Sequence, residues 1–129
     1  MLRNVFAVVL GYAAMAVVIM AAVPLIAWVF GIEVSWENPP REVPMELIVG
    51  NLLTTVPAAM LGGWVCTKAA RGQAVPGLVL LGLVVLMGIA NFVAQEGSAA
   101  PAWYRAALPI LGATGVFMGC AIARPAARR

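Results

Sequence analysis

The sequence predicts an all-α integral membrane protein. It reads as four transmembrane helices in an antiparallel up-down-up-down bundle, with both termini inside and residues 1–129 forming a single domain. Three observations carry this reading. The 129 residues are 64% hydrophobic and only 10% charged, whereas soluble domains average ~45–50% apolar and ~25% charged. The mean hydropathy is +1.00. The charges are bunched and separated by uncharged runs of 29, 21, 24 and 18 residues. A helix rising ~1.5 Å per residue crosses ~30 Å of hydrocarbon in about 20 residues. Eight basic and five acidic residues cannot coat a water-soluble core. Strands are excluded because the runs lack apolar/polar alternation and no barrel closes from so few residues.

The first span is expected near 4–30. A secretory h-region is ~7–15 residues, about half this length, so the run reads as a retained span. Its small face is Asn4, Ala7, Gly11, Ala14, Val18 and Ala22, spaced for close helix contact. Pro24 lies within it. The segment 31–44 holds Pro39-Pro40, which favours extended backbone, and reads as a solvated connector.

The second span is expected near 46–68. At 100° per residue, Asn51, Thr54, Thr55, Ala58 and Gly62 share one direction and Cys66 ends the stripe, while Leu52, Leu53, Leu61 and Trp64 point elsewhere. Pro57 removes one helical bond and frees the Leu53 carbonyl. Gly72-Gln73-Ala74 with Pro76 makes a tight hairpin into the third span, near 75–95. Glu96–Pro101 is a small-residue turn, and Pro101 suits a helix start. The fourth span, near 103–123, places Gly112, Gly115 and Gly119 on one side, with Thr114 off it. Short connections make sequential helices the expected neighbours. The small faces exceed the need of one bundle, which points to a membrane-protein partner or a homo-oligomer.

Charge sets the orientation. With both termini inside, the inner side holds Arg3, Lys68, Arg71, Arg124, Arg128 and Arg129. The outer side holds Arg41, Arg105 and the five glutamates Glu33, Glu37, Glu42, Glu46 and Glu96. This is a strong positive-inside bias. Trp28, Trp36, Trp103 and Tyr104 then fall at the outer interface and Trp64 at the inner one. Arg124, Arg128 and Arg129 are placed to touch anionic headgroups at ~1 kcal/mol per charge. No soluble basic surface exists for nucleic acid.

Polar residues within the spans are few. Asn51 and Asn91 both fall ~7–8 Å below the outer ends of their helices, and Thr54, Thr55 and Thr114 at ~12–14 Å. An Asn in hydrocarbon needs a partner. The expectation is a polar cluster of Asn51, Thr54, Thr55, the Leu53 carbonyl and Asn91, with Gln95 at its mouth. It serves as interhelical glue or as a small-solute vestibule. Cys66 and Cys120 lie near inner helix ends, where a reducing compartment argues against a disulfide.

Catalytic chemistry is thin. There is no His and no Asp, and no span carries a carboxylate of the kind proton-coupled transporters place mid-membrane. No nucleotide loop, Ser/His pairing or metal-ligand set is present, so neither a metal nor another cofactor is expected.

Two resemblances arise. Gly50-Asn51-Leu52-Leu53 is similar to the second helix of small four-helix fluoride channels, but the likeness stops there: Gly77–Gln95 lacks the Ser, Thr and repeated Phe of their third helix. More broadly, Ala59-Met60-Leu61-Gly62-Gly63-Trp64-Val65-Cys66 with Lys68 after it, and Pro101-Ala102-Trp103-Tyr104 before the last span, resemble small four-helix bacterial inner-membrane proteins. That resemblance implies fold and location, not activity. The expected role is a subunit or scaffold of a membrane assembly without catalysis of its own. The alternative is a passive channel or carrier for a small solute.

Overall fold

The computed structural model describes residues 1–33, 42–97 and 100–124. Four helices make up the fold: α1 (Leu2–Phe30), α2 (Met45–Ala69), α3 (Ala74–Ala94) and α4 (Ala102–Ala123). Each is long and apolar enough to cross a membrane. No strand occurs among the described residues. The boundaries differ from the charge-gap reading by one or two residues, because a helix end is set by its terminal turn and not by the nearest charge. Pro24, Pro57 and Pro109 lie inside helices that the backbone continues through. Trp36, Glu37, Pro39-Pro40, Arg41, Arg128 and Arg129 lie outside the described residues.

Helix ends follow local chemistry. Gly31 closes α1 in the left-handed region at φ 65°, and the Ile32 N–H donates to the Ala27 carbonyl at 2.8 Å, the wrap that a Gly beyond a helix permits. The turn from α2 to α3 uses the same wrap. The Gly72 N–H reaches the Thr67 carbonyl at 2.8 Å, with Arg71 at φ 56° and Gly72 at φ 81°. Pro101 precedes α4, where a missing N–H costs nothing.

The helices do not pack in chain order. α2 is the central element and lies between α1 and α4. α3 packs mainly on α4, and its contacts with α1 and α2 are minor. The expectation that sequential helices are neighbours thus fails for α2 and α3. Their tight turn joins them at one end, but the α4 backbone takes the place beside α2. Periodicity gave α2 one buried stripe, and it has two. Thr55, Ala58, Gly62 and Cys66 are buried as read from the sequence, and Ala59, Gly63 and Thr67 are buried too. A helix held between two neighbours needs a small face for each.

Glycine sets these approaches. A Cβ at Gly11 would stand 2.7 Å from the Gly62 carbonyl oxygen, and one at Gly62 would stand 2.8 Å from that of Gly11. Across the α2–α4 contact, a Cβ at Gly63 would overlap the Val116 carbonyl oxygen, and one at Gly119 that of Met60. One at Gly115 would lie 2.7 Å from the Ala59 Cβ, and one at Gly112 would meet a Val84 methyl at 3.1 Å. In α3, Gly77 faces Cys120 and Gly88 faces the Pro109 ring. Gly82 alone among the helical glycines has open space around it. The idea that the small faces exceed what one bundle needs is therefore corrected. They are used inside it, because four thin helices packed at backbone distance have few other contacts to hold them.

The densest packing gathers toward the cysteine end: Ala7, Cys66, Ala70, Leu80, Val116 and Cys120 are all buried. Outward, large apolar side chains such as Phe6, Trp28, Leu53, Leu86 and Phe117 are exposed. In water that surface would drive aggregation; in a bilayer it is the lipid-facing side.

Candidate functional site

The end opposite the cysteines is built differently. α1 and α4 do not pack against each other, and α3 meets α1 through Leu80, which lies against Gly11. Beyond that contact a slot of about 610 Å³ runs between the helices. α1 supplies Tyr12, Met15 and Ile19, and α3 supplies Val84, Met87, Asn91, Ala94 and Gln95. α2 contributes Asn51 and Thr55, and α4 contributes Tyr104, Leu108, Pro109 and Gly112. Asn51, Asn91, Gln95 and Tyr104 lie toward the helix ends, while the rest of the lining is mostly apolar apart from Thr55 and, at the closed end, Tyr12.

The residues singled out from the sequence divide as follows. Asn51, Thr55, Asn91 and Gln95 line the slot, whereas Thr54 does not. Asn51 and Asn91 do not bond each other. The Asn51 amide donates to the Tyr104 hydroxyl at 2.5 Å, a link from α2 to α4. Gln95 donates to the Asn91 Oδ1 at 2.6 Å, one turn apart on α3. The Thr54 hydroxyl reaches the Gly50 and Asn51 carbonyls, and the Thr55 hydroxyl reaches the Asn51 carbonyl at 2.6 Å. None goes to Leu53. Thr residues in apolar helices satisfy themselves on the preceding turn, and that local bond displaces the expected interhelical one. Thr114 does the same with the Ile110 carbonyl at 2.8 Å.

Two residues carry more than their sequence reading gave them. Tyr104 was placed at the interface as a belt aromatic. Its neighbour Trp103 is exposed and stacks edge-on with it at 6.2 Å, but Tyr104 itself turns inward to Asn51. Arg105 was an orientation charge. Its guanidinium donates to the Gln95 carbonyl at 2.6 Å and to the Phe92 carbonyl at 3.4 Å, and it lies 5.2 Å from the Phe92 ring centre. A cation on the last carbonyls of a helix satisfies groups that have no partner within it and opposes the negative end of its dipole. Arg105 thus fastens the end of α3 to the start of α4 and fixes one rim of the slot. The spacing of Gln95 and Arg105 around the Pro101 turn was the available signal.

Arg105→Met should loosen the last turn of α3 without unfolding the bundle. Hydrogen exchange in detergent is expected to accelerate at residues 92–96 and to stay unchanged around Gly63 and Gly119. Arg105→Lys should recover only part of the protection, since an ammonium lacks the guanidinium fork. Uniform exchange across α3 in all three proteins would contradict the assignment.

Not every buried polar atom is paired. The Asn51 Oδ1 and the Thr67 Oγ1 have no hydrogen-bond partner among the described residues. At the cysteine end the Cys120 thiol donates to the Gly63 carbonyl at 3.6 Å, and both cysteines are free and buried. Among the described residues, no group of three His, Cys, Asp or Glu side chains comes together to hold a metal ion. No family model, curated protein or solved structure matches the chain.

Proposed function

We propose that the chain is a multi-pass protein of the bacterial inner membrane, without catalysis of its own, that works by binding within the bilayer as a subunit of a membrane assembly. The observation that carries this reading is the slot. Its polar groups face a space bounded by α1 and α3, two helices that barely pack together, so the way in is sideways, from the hydrocarbon. The charge bias supports both termini being cytoplasmic. The glycine contacts support the up-down-up-down order: Gly11 meets Gly62 while Gly50 meets Ile26, and Gly77 meets Cys120 while Gly88 meets Pro109. Arg124, with Arg128 and Arg129 beyond it, is the candidate contact for anionic headgroups.

The alternative, a passive route for a small solute, draws on the same Asn, Gln and Tyr groups. It is disfavoured by the fully buried Cys66, Leu80 and Val116, which fill the bundle beyond the slot. The absence of His and Asp from the sequence supports a role without catalysis.

Extraction in a mild detergent followed by native mass spectrometry tests the proposal. The expected result is the chain in stoichiometric company with a foreign membrane protein. A homo-oligomer whose liposome flux is abolished by Asn51→Leu or Asn91→Leu would transfer the case to the solute route. A lone monomer with neither partner nor flux would sink both.

A further inference from the structure

We infer that the slot seats an uncharged amphiphile of the diacylglycerol type, with its hydrocarbon along the apolar floor and its hydroxyl-bearing head against Tyr104, Asn91 and Gln95. This deepens the proposed function, since it rests on the four helices spanning a bilayer and on the slot being the binding surface.

Size decides the class of occupant. From Val84 to Gln95 the α3 wall runs ~16 Å at the helical rise. That length and a volume of 610 Å³ suit extended hydrocarbon lying along the wall. The volume also falls in the ~300–1,000 Å³ range of ligand sites.

Polarity decides the head. Met15, Ile19, Val84, Met87 and Leu108 make most of the floor apolar, with Tyr12 at its closed end. At the helix ends, the Tyr104 hydroxyl accepts from Asn51 and keeps its own proton to donate. The Asn91 Oδ1 is taken by Gln95, which leaves the Asn91 amide N–H groups as donors and the Gln95 Oε1 as an acceptor. A hydroxyl or ester head matches donors and an acceptor placed together. No Lys, Arg, Asp or Glu lines the slot; Arg105 at its rim donates to the α3 carbonyls and keeps its buried Nε unpaired among the described residues. A charged head would enter a low-dielectric lining that holds no charged side chain.

The test is lipid titration of the delipidated full chain in detergent, read by native mass spectrometry, with dioleoylglycerol and the anionic dioleoylphosphatidylglycerol as probes. One dioleoylglycerol per chain is expected, with clearly weaker binding of the anionic lipid. Tyr104→Phe should weaken the adduct by about fivefold, the worth of one hydrogen bond. Because Tyr104→Phe also touches a packing contact, Ala94→Trp serves as the second variant. Ala94 is exposed at the slot wall, so an indole there fills the slot without entering the core, and it should abolish the adduct. No adduct, an adduct indifferent to Ala94→Trp, or an anionic lipid bound as tightly would each overturn the inference. A partner protein recovered without the lipid adduct would remove this inference and leave the proposed function standing; a lipid adduct on a lone monomer would do the reverse.

Discussion

Gly119→Val is expected to cost about 3 kcal/mol or more of stability, the upper range for overpacking a close contact. The physical reason is the nature of the obstacle. A Cβ at Gly119 overlaps the carbonyl oxygen of Met60, with the Met60 carbonyl carbon and Cα next in its path. A side chain could rotate away; a helix backbone can yield only by moving the whole of α2. That motion would also break the reciprocal approach of Gly63 to Val116 and would open the Cys120 thiol contact to the Gly63 carbonyl. Gly119→Ala should show a smaller loss in the same direction. Gly82→Val is the control, because nothing lies within 4 Å of a Cβ there, and it should be neutral. Denaturation in mixed micelles, followed by circular dichroism, reads all three. Equal losses at Gly82 and Gly119 would contradict helix contact as the origin of the cost, since replacing Gly raises helix propensity at both positions.

The second expected effect is coupling between Asn51 and Tyr104. Each of Asn51→Leu and Tyr104→Phe should destabilise the bundle, and the double variant should lose less than the two together. The interaction term should fall near ~0.6–1.7 kcal/mol, the range of interhelical hydrogen bonds in membrane proteins. Asn51→Leu carries a compensating gain, since it also removes the unpaired buried Oδ1, and an apolar group of similar size pays no desolvation there. Additive single losses would show that the two side chains act apart.

The particular residues show what a sequence of this kind makes legible. Helix extents were readable because each charged residue is excluded from hydrocarbon, so the gaps between charges mark the spans. The buried faces were readable at Gly11, Ala58, Gly62, Gly112, Gly115 and Gly119, because small residues at helical spacing have one direction in common. Partner choice was not. Periodicity assigns a direction to a side chain and says nothing of which helix stands there, so α2 was set beside α3 when its second neighbour is α4. For the same reason Asn51 was matched by depth to Asn91. Depth placed both on one slot, but Tyr104, approaching from the start of α4, is within bonding reach and Asn91 is not. Arg105 was read for its sign alone, and its use as a cap on α3 depends on a turn whose shape no periodicity encodes.

The backbone-to-backbone contact of α2 and α4 bears on how this chain can diverge. Most of its length faces lipid, where Leu, Ile, Val, Met and Phe are interchangeable, so overall identity decays quickly without harm. Gly63, Gly115 and Gly119 have no substitute, since any side chain strikes the opposite main chain. The hereditary signature of this architecture is therefore a spacing of glycines: a Gly pair late in the second span, and Gly at intervals of three and four in the last. Relatives too distant for their apolar positions to align should still be recognisable by that spacing, with an Asn near the start of the second span and a Tyr-Arg pair opening the fourth.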